Sequence, residues 1–287
     1  MLYHVLFNPL AGNGAGAEET KKLKIDNAEV LFHDVTKLGG YAAFLRSIAP
    51  EEGVILTGGD GTINRFVNET AELNVPNDIL YYAVGTGNDF LNDIGKKVGD
   101  PPFSIKKYLC DLPTVTVKGK TYRFLNGVGY GIDGYCCEVG DELRKKSDKP
   151  VNYASIAIKG LLFHFKPANA VITVDGKEYR FQKVWLAPTM NGRFYGGGMM
   201  IAPQQDRLNA ERTVTVSVLY GSGKLKTLMV FPSIFKGEHV KHTEMSRTLV
   251  GHEITVKFSR PTALQIDGET VRGVTEYSVT SKAPIHV

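Results

Sequence analysis

The chain has 287 residues, which is longer than a typical single domain and fits two domains of ordinary size. Hydrophobic residues make up 43% and charged residues 22%, as in ordinary globular proteins with folded cores. The net charge of +4 is small and the basic residues are scattered, so nucleic-acid binding is not indicated, while a weak preference for anionic membranes or phosphate-bearing ligands stays open.

The cysteines and the apolar segments indicate the cellular compartment in which the protein is expected. Cys110, Cys136 and Cys137 cannot all pair with one another, and the adjacent two lack metal-site spacing, so reduced thiols are expected. The first nine residues look like a strand and a turn, which is not the pattern of a signal peptide. No apolar run reaches the roughly 18 residues that a membrane-spanning helix needs. We therefore expect a cytoplasmic protein that at most touches the inner face of the membrane.

Strand-like and helical segments alternate through the first hundred residues. Strands are predicted at residues 2–7, 29–35, 54–56 and 79–84, and helices from about residue 17, over 38–48 and from about residue 62. Polar, glycine-containing turns follow three of these strands, at residues 8–16, 58–62 and 85–90. Parallel strands end along one edge of a sheet, where glycine turns and helix starts bind phosphate. The coincidence of three such turns favours a ligand site over ordinary loops.

Two residues near this edge allow both a functional and a structural interpretation. Asp60 would be repelled by a phosphate unless a divalent cation lies between them or the carboxylate binds a hydroxyl or a proton. It could equally cap the helix that follows. Thr36, at the end of the second strand, could face a ligand or cap a helix.

The sequence pattern changes from about residue 112, where polar and apolar residues begin to alternate. Half-exposed antiparallel strands are predicted at residues 114–117, 122–125, 171–174, 213–218 and 253–258, and helices near 134–146, 153–165 and 225–235. Hairpin turns are predicted at the two Asp-Gly pairs that begin at Asp175 and Asp267. The second domain is therefore expected to be mainly β.

Two apolar stretches, residues 156–165 and 228–235, have basic residues at their flanks. A membrane-surface helix has this pattern, and so does a core helix, which is the interpretation that we favour from the sequence. A cleft for apolar tails could be lined by Phe194, Tyr195, Met199 and Met200, or these residues could belong to a core.

The motifs together resemble those of the diacylglycerol kinase catalytic domain family, which includes bacterial soluble lipid kinases and sphingosine kinases. More distantly, Gly-Gly-Asp-Gly-Thr at residues 58–62 is similar to the motif of NAD kinases and 6-phosphofructokinases. The motifs that carry the resemblance lie at residues 8–16, 58–62, 85–90, 124–133, 196–203 and 265–269. The resemblance thus covers nearly the whole chain.

The resemblance implies a two-domain fold with the active site in the inter-domain cleft. Residues 1–118 would form an α/β nucleotide-binding domain, completed by a C-terminal strand at 283–287. Residues 119–282 would form a β-sandwich domain for the lipid acceptor.

The resemblance also implies the roles of individual residues. ATP is expected to contact Asn8, Gly12, Thr36, Gly58, Gly59, Asp60, Gly61, Thr62, Gly85, Thr86 and Asn88. Magnesium is expected at Asp60 and Asp89, the general base is expected to be Asp267 with Glu269 beside it, Asp60 is expected to take part in catalysis, and Asp133 is expected to hold the acceptor. Phosphoryl transfer needs such positioned phosphates, a cation and a carboxylate that takes the hydroxyl proton.

The implied activity is ATP-dependent transfer of the γ-phosphoryl group to a hydroxyl of diacylglycerol or a similar lipid at the membrane surface, a reaction of phospholipid biosynthesis. Two alternatives stay open: a kinase of a soluble hydroxyl compound, and a non-catalytic nucleotide- or lipid-sensing homologue. The second is suggested by Asn209 and Ala210, where bacterial lipid kinases tend to carry Asp-Gly that binds a structural magnesium. The sequence does not fix the oligomeric state, and a homodimer is among the states that it allows.

Overall fold

The computed structural model of the protein describes residues 1–9, 15–21, 23–25, 27–84, 87–146, 151 and 153–282. The chain divides into two compact units, Met1–Leu112 and Pro113–Val287. The strand Thr114–Val117, which the expected boundary at residue 118 assigned to the first domain, belongs to the sheet of the second unit. The expected C-terminal strand at 283–287 lies outside the described residues.

The first unit is an α/β domain. Its elements are β1 (Leu2–Phe7), α1 (Ala15–Lys21), β2 (Glu29–Asp34), α2 (Tyr41–Leu45), β3 (Gly53–Gly58), α3 (Asp60–Glu69), β4 (Ile79–Ala83), α4 (Asp89–Asp93), β5 (Phe103–Ser104) and α5 (Lys106–Leu109). Among the described residues the strand order is β2-β1-β3-β4-β5, and only β4 and β5 pair antiparallel. Every residue of β3 is buried, as expected for a central strand covered on both faces. The predicted parallel α/β fold is confirmed.

The second unit is mostly antiparallel β structure. In chain order it contains β6 (Thr114–Val117), β7 (Lys120–Arg123), β8 (Gly127–Tyr130), α6 (Ile132–Lys146), α7 (Tyr153–Lys159), a π-helical turn (Gly160–His164), β9 (Ala168–Val174), β10 (Lys177–Val184), β11 (Thr189–Met190), β12 (Phe194–Tyr195), β13 (Met199–Met200), β14 (Val214–Leu219), α8 (Lys224–Val230), two 3₁₀ helices (Phe231–Lys236 and Glu238–Lys241), β15 (Ser246–Gly251), β16 (Glu253–Ile266) and β17 (Glu269–Thr280).

The long strand β16 organises the sheet of this unit. Within the described part of the chain the strand order is β15-β14-β11-β8-β16-β17-β6-β7. The first half of β16 also pairs with β9, which pairs with β10, whereas residues 264–266 pair with β8. The hairpin turns at Asp175 and Asp267 are confirmed, since both aspartates and the glycines after them have positive φ, as a tight two-residue turn requires. The mainly β second domain is therefore confirmed.

A separate apolar core lies beneath the helices of the second unit. It joins Ile132 of α6, Leu161 of the π-helical turn, Trp185 after β10, and Val230 and Ile234 of α8 and the helix after it. No helix among the described residues is both long and apolar enough to cross a membrane.

Candidate functional site

The turn after β3 packs directly against the turn after β4. A side-chain carbon at Gly58 would collide with the hydroxyl of Thr62, and one at Gly59 would lie 2.6 Å from the carbonyl oxygen of Gly87. The N–H of Asp60 donates to that same carbonyl at 2.9 Å. Gly58 and Gly59 are therefore required by packing within the chain, and they bring the ends of two parallel strands together.

Gly61, in the first turn of α3, has a different environment. A side-chain carbon built there meets no atom within 4 Å among the described residues. Glycine within a helix costs roughly 0.5–1 kcal/mol relative to alanine. Neither packing nor a left-handed backbone accounts for glycine at this position, so the open space in front of it is the property to explain.

Asp60 binds the start of a neighbouring helix. The residue that precedes α3 is Gly59, and Asp60 is the first residue inside it. The Asp60 carboxylate accepts hydrogen bonds from the N–H of Asp89 at 2.7 Å and of Phe90 at 3.3 Å, which are the first residues of α4. The structural interpretation that Asp60 caps its own helix is wrong, because its carboxylate caps α4 instead.

Tyr81 and Asn88 complete this group of contacts. The buried Tyr81 hydroxyl lies 2.7 Å from the carbonyl oxygen of Gly58 and 3.1 Å from Oδ1 of Asn88. Burial, and to a smaller extent the charge of Asp60, raise the pKa of Tyr81 well above its usual range. Asp89 is itself buried and is bonded through its backbone to Asp60. The structure thus brings Gly58, Asp60, Asn88 and Asp89 together.

Asn8 follows β1, the neighbour of β3, and Thr36 follows β2, the strand on the other side of β1. The Thr36 N–H and hydroxyl both donate to Oδ1 of Asp34, at 2.9 and 2.6 Å. Since α2 begins only at Tyr41, after Gly40, the interpretation of Thr36 as a helix cap is wrong. Asn8 directly follows β1. The predicted ATP contacts Gly12, Gly85 and Thr86 lie outside the described residues.

In the second unit, Asp267 is held by backbone donors. Its Oδ2 accepts from the N–H of Leu125 at 2.5 Å, and its Oδ1 accepts from those of Asn126 and Gly127 at 2.8 and 3.0 Å. Asp267 has φ 45°, a left-handed conformation that aspartate tolerates better than most residues. The carboxylate therefore fastens the β16–β17 turn to the segment before β8.

A buried arginine that belongs to none of the predicted motifs binds the same segment. Arg207 donates to the carbonyl of Leu125 at 3.3 Å and to Oδ1 of Asn126 at 3.0 Å. The side chain of Asn191 also donates to the Leu125 carbonyl, at 2.9 Å. Arginine is rarely buried unless it is paired, and Arg207 lies in a polar stretch of the sequence, so its burial could not be predicted from the sequence.

Asp133 lies in the first turn of α6 and is buried. Its Oδ1 accepts from the N–H of Gly134 at 2.9 Å. Among the described residues its Oδ2 has no hydrogen-bond partner, and neither does the buried hydroxyl of Tyr195. Burial raises the pKa of Asp133 to about 6, against the lowering effect of the Gly134 N–H and of the Tyr195 hydroxyl, which lies close to the carboxylate although the two groups form no hydrogen bond by their geometry. Burial and the nearby Asp133 charge also raise the pKa of Tyr195.

Gly129 of β8 leaves room for two polar side chains. A side-chain carbon at Gly129 would lie 2.5 Å from Nε2 of Gln265 and would collide with Oδ2 of Asp133. Glu269 is exposed at the start of β17. It is close enough to α6 for its charge to help raise the pKa of Cys137, although burial and Asp133 contribute more. Asp133, Gln265 and Glu269 thus lie in one region of this unit.

Asn209 closes the loop between β13 and β14. Its Nδ2 donates to the carbonyls of Asp206 and Thr213 at 2.7 and 3.0 Å, and its Oδ1 accepts from the Thr213 N–H at 2.9 Å. The amide therefore joins both sides of the loop by hydrogen bonds. Across the residues that the structure describes, no cluster of three His, Cys, Asp or Glu side chains could hold a metal ion.

Comparison with known families explains why these residues occur together. Residues 3–114 match the model described as the diacylglycerol kinase catalytic domain, and residues 126–282 match that of the YegS C-terminal NAD kinase beta sandwich-like domain. The chain belongs to the diacylglycerol kinase family. This membership confirms the resemblance seen in the motifs.

Named relatives agree with this family. A diacylglycerol kinase of Mycobacterium tuberculosis is 27% identical over 261 residues, which are 85% of this chain and 81% of the relative. A diacylglycerol kinase of Bacillus subtilis is 23% identical, with 92% and 88% covered. A solved diacylglycerol kinase structure from Bacillus anthracis superposes with a TM-score of 0.62 at 18% identity, covering 98% of this chain and 93% of that one, which shows a shared fold.

Proposed function

We propose that this member of the diacylglycerol kinase family is a lipid kinase that transfers the γ-phosphoryl group of ATP to a hydroxyl of diacylglycerol or a similar lipid. The observation that carries the proposal is the pair of packed turns at Gly59 and Gly87, with Asp60 beside them and, among the described residues, no atom within 4 Å of a side-chain carbon built at Gly61. Backbone N–H groups at the start of α3 suit a phosphate, and Gly61 would let it approach closely. The protein would act at the cytoplasmic surface of a membrane.

The donor set of the first unit fits a magnesium ion that arrives with the nucleotide. Mg²⁺ usually takes one or two protein carboxylates and completes its coordination with water and phosphate oxygens. Asp60, whose carboxylate accepts a hydrogen bond from the backbone N–H of Asp89 at 2.7 Å, and Asp89 itself would supply those carboxylates. When bound, the ion would neutralise charge that develops on the transferred phosphoryl group.

Two carboxylates of the second unit are candidates for taking the proton of the acceptor hydroxyl. The family resemblance favours Asp267. The contacts favour Asp133, because the Asp267 oxygens are engaged by three N–H donors, whereas Oδ2 of Asp133 has no partner among the described residues. A general base works best with a pKa near the working pH, and that of Asp133 is raised to about 6.

The test is transfer of labelled γ-phosphate from Mg-ATP to diacylglycerol in mixed micelles, with glycerol as a soluble acceptor. Wild type would be compared with Asp133→Asn, Asp267→Asn and the control Asp141→Asn on the outer part of α6. Loss of general-base catalysis should lower kcat by roughly 10²–10⁴-fold, with ATP affinity kept. Asp141→Asn should behave as wild type.

The pH dependence of kcat/KM separates the two candidate bases. If Asp133 is the base, the fall in rate below about pH 6 should vanish in the residual activity of Asp133→Asn. If that fall persists there and vanishes in Asp267→Asn, the base is Asp267. Labelling of glycerol but of no lipid would replace the lipid kinase by a kinase of soluble compounds, and ATP binding without any transfer would favour a sensor.

A further inference from the structure

The helical layer of the second unit exposes an apolar patch, formed by Ile158, Phe163, Leu225, Met229 and Phe235. Phe163, Leu225 and Met229 are 71%, 73% and 74% exposed, and the other two are each 45% exposed. Single exposed apolar residues are common, but a group of them indicates an interaction surface.

Contacts between two helical elements hold Phe163, Leu225 and Met229, the three most exposed members of the patch, near one another. Leu225 and Met229 lie one helical turn apart on the same face of α8. Lys224, at the start of α8, donates to the carbonyl of Leu162 at 2.8 Å, directly before Phe163. The patch is therefore shared by α8 and the π-helical turn.

The opposite side of the same elements is anchored in a core. Ile156, Leu161, Val230 and Ile234 are buried in one apolar cluster. The sequence interpretation of residues 156–165 and 228–235 as core is thus true of one side of these helices, while the other side stays exposed. Because the buried side of these helical elements is packed in the core, the exposed apolar side chains are held in a defined position on the surface.

The charges around the patch decide which partner suits it. Residues 153–166 and 224–236 contain no aspartate or glutamate. They contain five lysines, Lys159, Lys166, Lys224, Lys226 and Lys236, all of them exposed. Lys226 forms an ion pair with Glu244 at 2.8 Å, so the other four carry the positive charge of this surface. Lysine is depleted in protein–protein interfaces, whereas apolar side chains flanked by lysines are typical of surfaces that bind anionic lipid.

We propose that the apolar patch docks the second unit onto an anionic lipid bilayer. Its apolar side chains would enter the boundary between headgroups and acyl chains, and the lysines would meet the lipid phosphates. This inference deepens the proposed function, on which it rests for the reason to bind a membrane, by naming the surface that faces the lipid.

Vesicle flotation tests the proposal. Wild type would be compared with the double variant Phe163→Ser/Met229→Ser on vesicles of phosphatidylcholine alone and of phosphatidylcholine with phosphatidylglycerol. The matched control is Val98→Ser/Val250→Ser, which replaces exposed valines outside the patch. Wild type and control should bind the anionic vesicles better, and the patch variant should bind them roughly tenfold more weakly, since its two apolar side chains no longer enter the bilayer.

Phosphorylation of a short-chain diacylglycerol below its critical micelle concentration separates docking from catalysis. The patch variant should retain activity on this monomeric acceptor while losing it on vesicles. Patch-dependent vesicle binding without any lipid phosphorylation by wild type would refute the proposed activity and leave the docking surface standing. Unchanged binding by the patch variant would overturn the docking proposal, as would a wild-type dimer that the same substitutions convert to monomer in sedimentation.

Discussion

At the residue scale, the three glycines at the end of β3 and the start of α3 fall into two classes. Gly58 and Gly59 are fixed by contacts with Thr62 and Gly87, whereas a side-chain carbon at Gly61 would meet no atom within 4 Å in the part of the chain that the structure describes. We predict that Gly61→Ala weakens ATP binding by roughly tenfold, because the added methyl group would occupy the approach of the phosphates. The thermal midpoint should be unchanged or slightly higher, since alanine favours a helix over glycine by roughly 0.5–1 kcal/mol. Calorimetric titration and thermal unfolding measure the two effects.

Gly223→Ala provides the matched control for that experiment. Gly223 precedes α8, and a side-chain carbon there also meets no atom within 4 Å among described residues. Its replacement should leave ATP binding as in wild type. Equal affinity of Gly61→Ala and wild type would show that no phosphate approaches α3 at this point.

The residues whose roles the sequence revealed least are those whose function depends on distant contacts. Asp60 and Asp267 stand out in glycine-rich motifs, but their partners lie about 30 and 140 residues away along the chain. Arg207 and Tyr195 carry no motif at all, and only burial beside Asn126 and Asp133 respectively marks them. The motifs therefore identified the turns of the candidate site. The side chains that hold these segments in place, such as Arg207, could be identified only from tertiary contacts.

At the element scale, strands followed from the sequence more closely than helices did. Alternation of polar and apolar residues predicted β6 and β9 correctly, because each has one buried face. It also located β14, but every residue of that strand is buried, so the expectation of a half-exposed strand is wrong there. Helix boundaries depended on single turns: α2 starts only after Gly40, whose φ is 98°. The predicted helix over 153–165 changes to a π-helical turn at Gly160, where a side-chain carbon would lie 2.7 Å from the ring of Tyr135. The spacing of apolar residues along the sequence could not predict this contact, because it depends on a ring from another helix.

The β13–β14 loop gives a prediction at this same scale. In Asn209→Asp, a carboxylate oxygen would face the carbonyls of Asp206 and Thr213, to which the amide now donates. We expect a loss of roughly 1–3 kcal/mol in the free energy of unfolding in EDTA, because two donors are lost and like charges meet. Millimolar Mg²⁺ should restore part of this loss by binding the new carboxylate. Urea denaturation with and without Mg²⁺ measures both effects.

Asn209→Ala separates the loss of hydrogen bonds from the gain of charge. It should be destabilised in the same range as Asn209→Asp but should not respond to Mg²⁺. Wild type should unfold at the same urea concentration in EDTA and in Mg²⁺. A wild-type transition that depends on Mg²⁺, and loses this dependence in Asn209→Ala, would show that this loop does hold a metal ion.

At the scale of the whole molecule, two buried groups of the second unit give stability opposite dependences on pH. The folded-state pKa of Asp133 is raised to about 6, so the folded chain keeps a proton that the unfolded chain loses, and stability falls as pH rises from 4 to 6. Burial lowers the pKa of His239 to about 4, and its Nδ1 has no partner among the described residues. The unfolded chain therefore binds this proton first, and stability falls as pH drops from 6.5 to 4.

The two effects should nearly cancel in wild type, because a shift of about two pKa units corresponds to about 3 kcal/mol for each group. We predict that Asp133→Asn loses stability more steeply than wild type between pH 6 and pH 4, since only the His239 effect remains. His239→Gln, whose amide can still donate to the Ile201 carbonyl that now lies 3.1 Å from Nε2, should lose less than wild type. The double variant should regain the wild-type slope.

Exposed carboxylates such as Glu142 and Glu238 have lowered pKa values, so all four proteins lose the same additional stability in acid. Differences between the slopes therefore report only on Asp133 and His239. Urea denaturation at pH 4, 5, 6 and 7 provides the slopes, and four parallel curves would mean that neither group titrates with a shifted pKa in the folded protein.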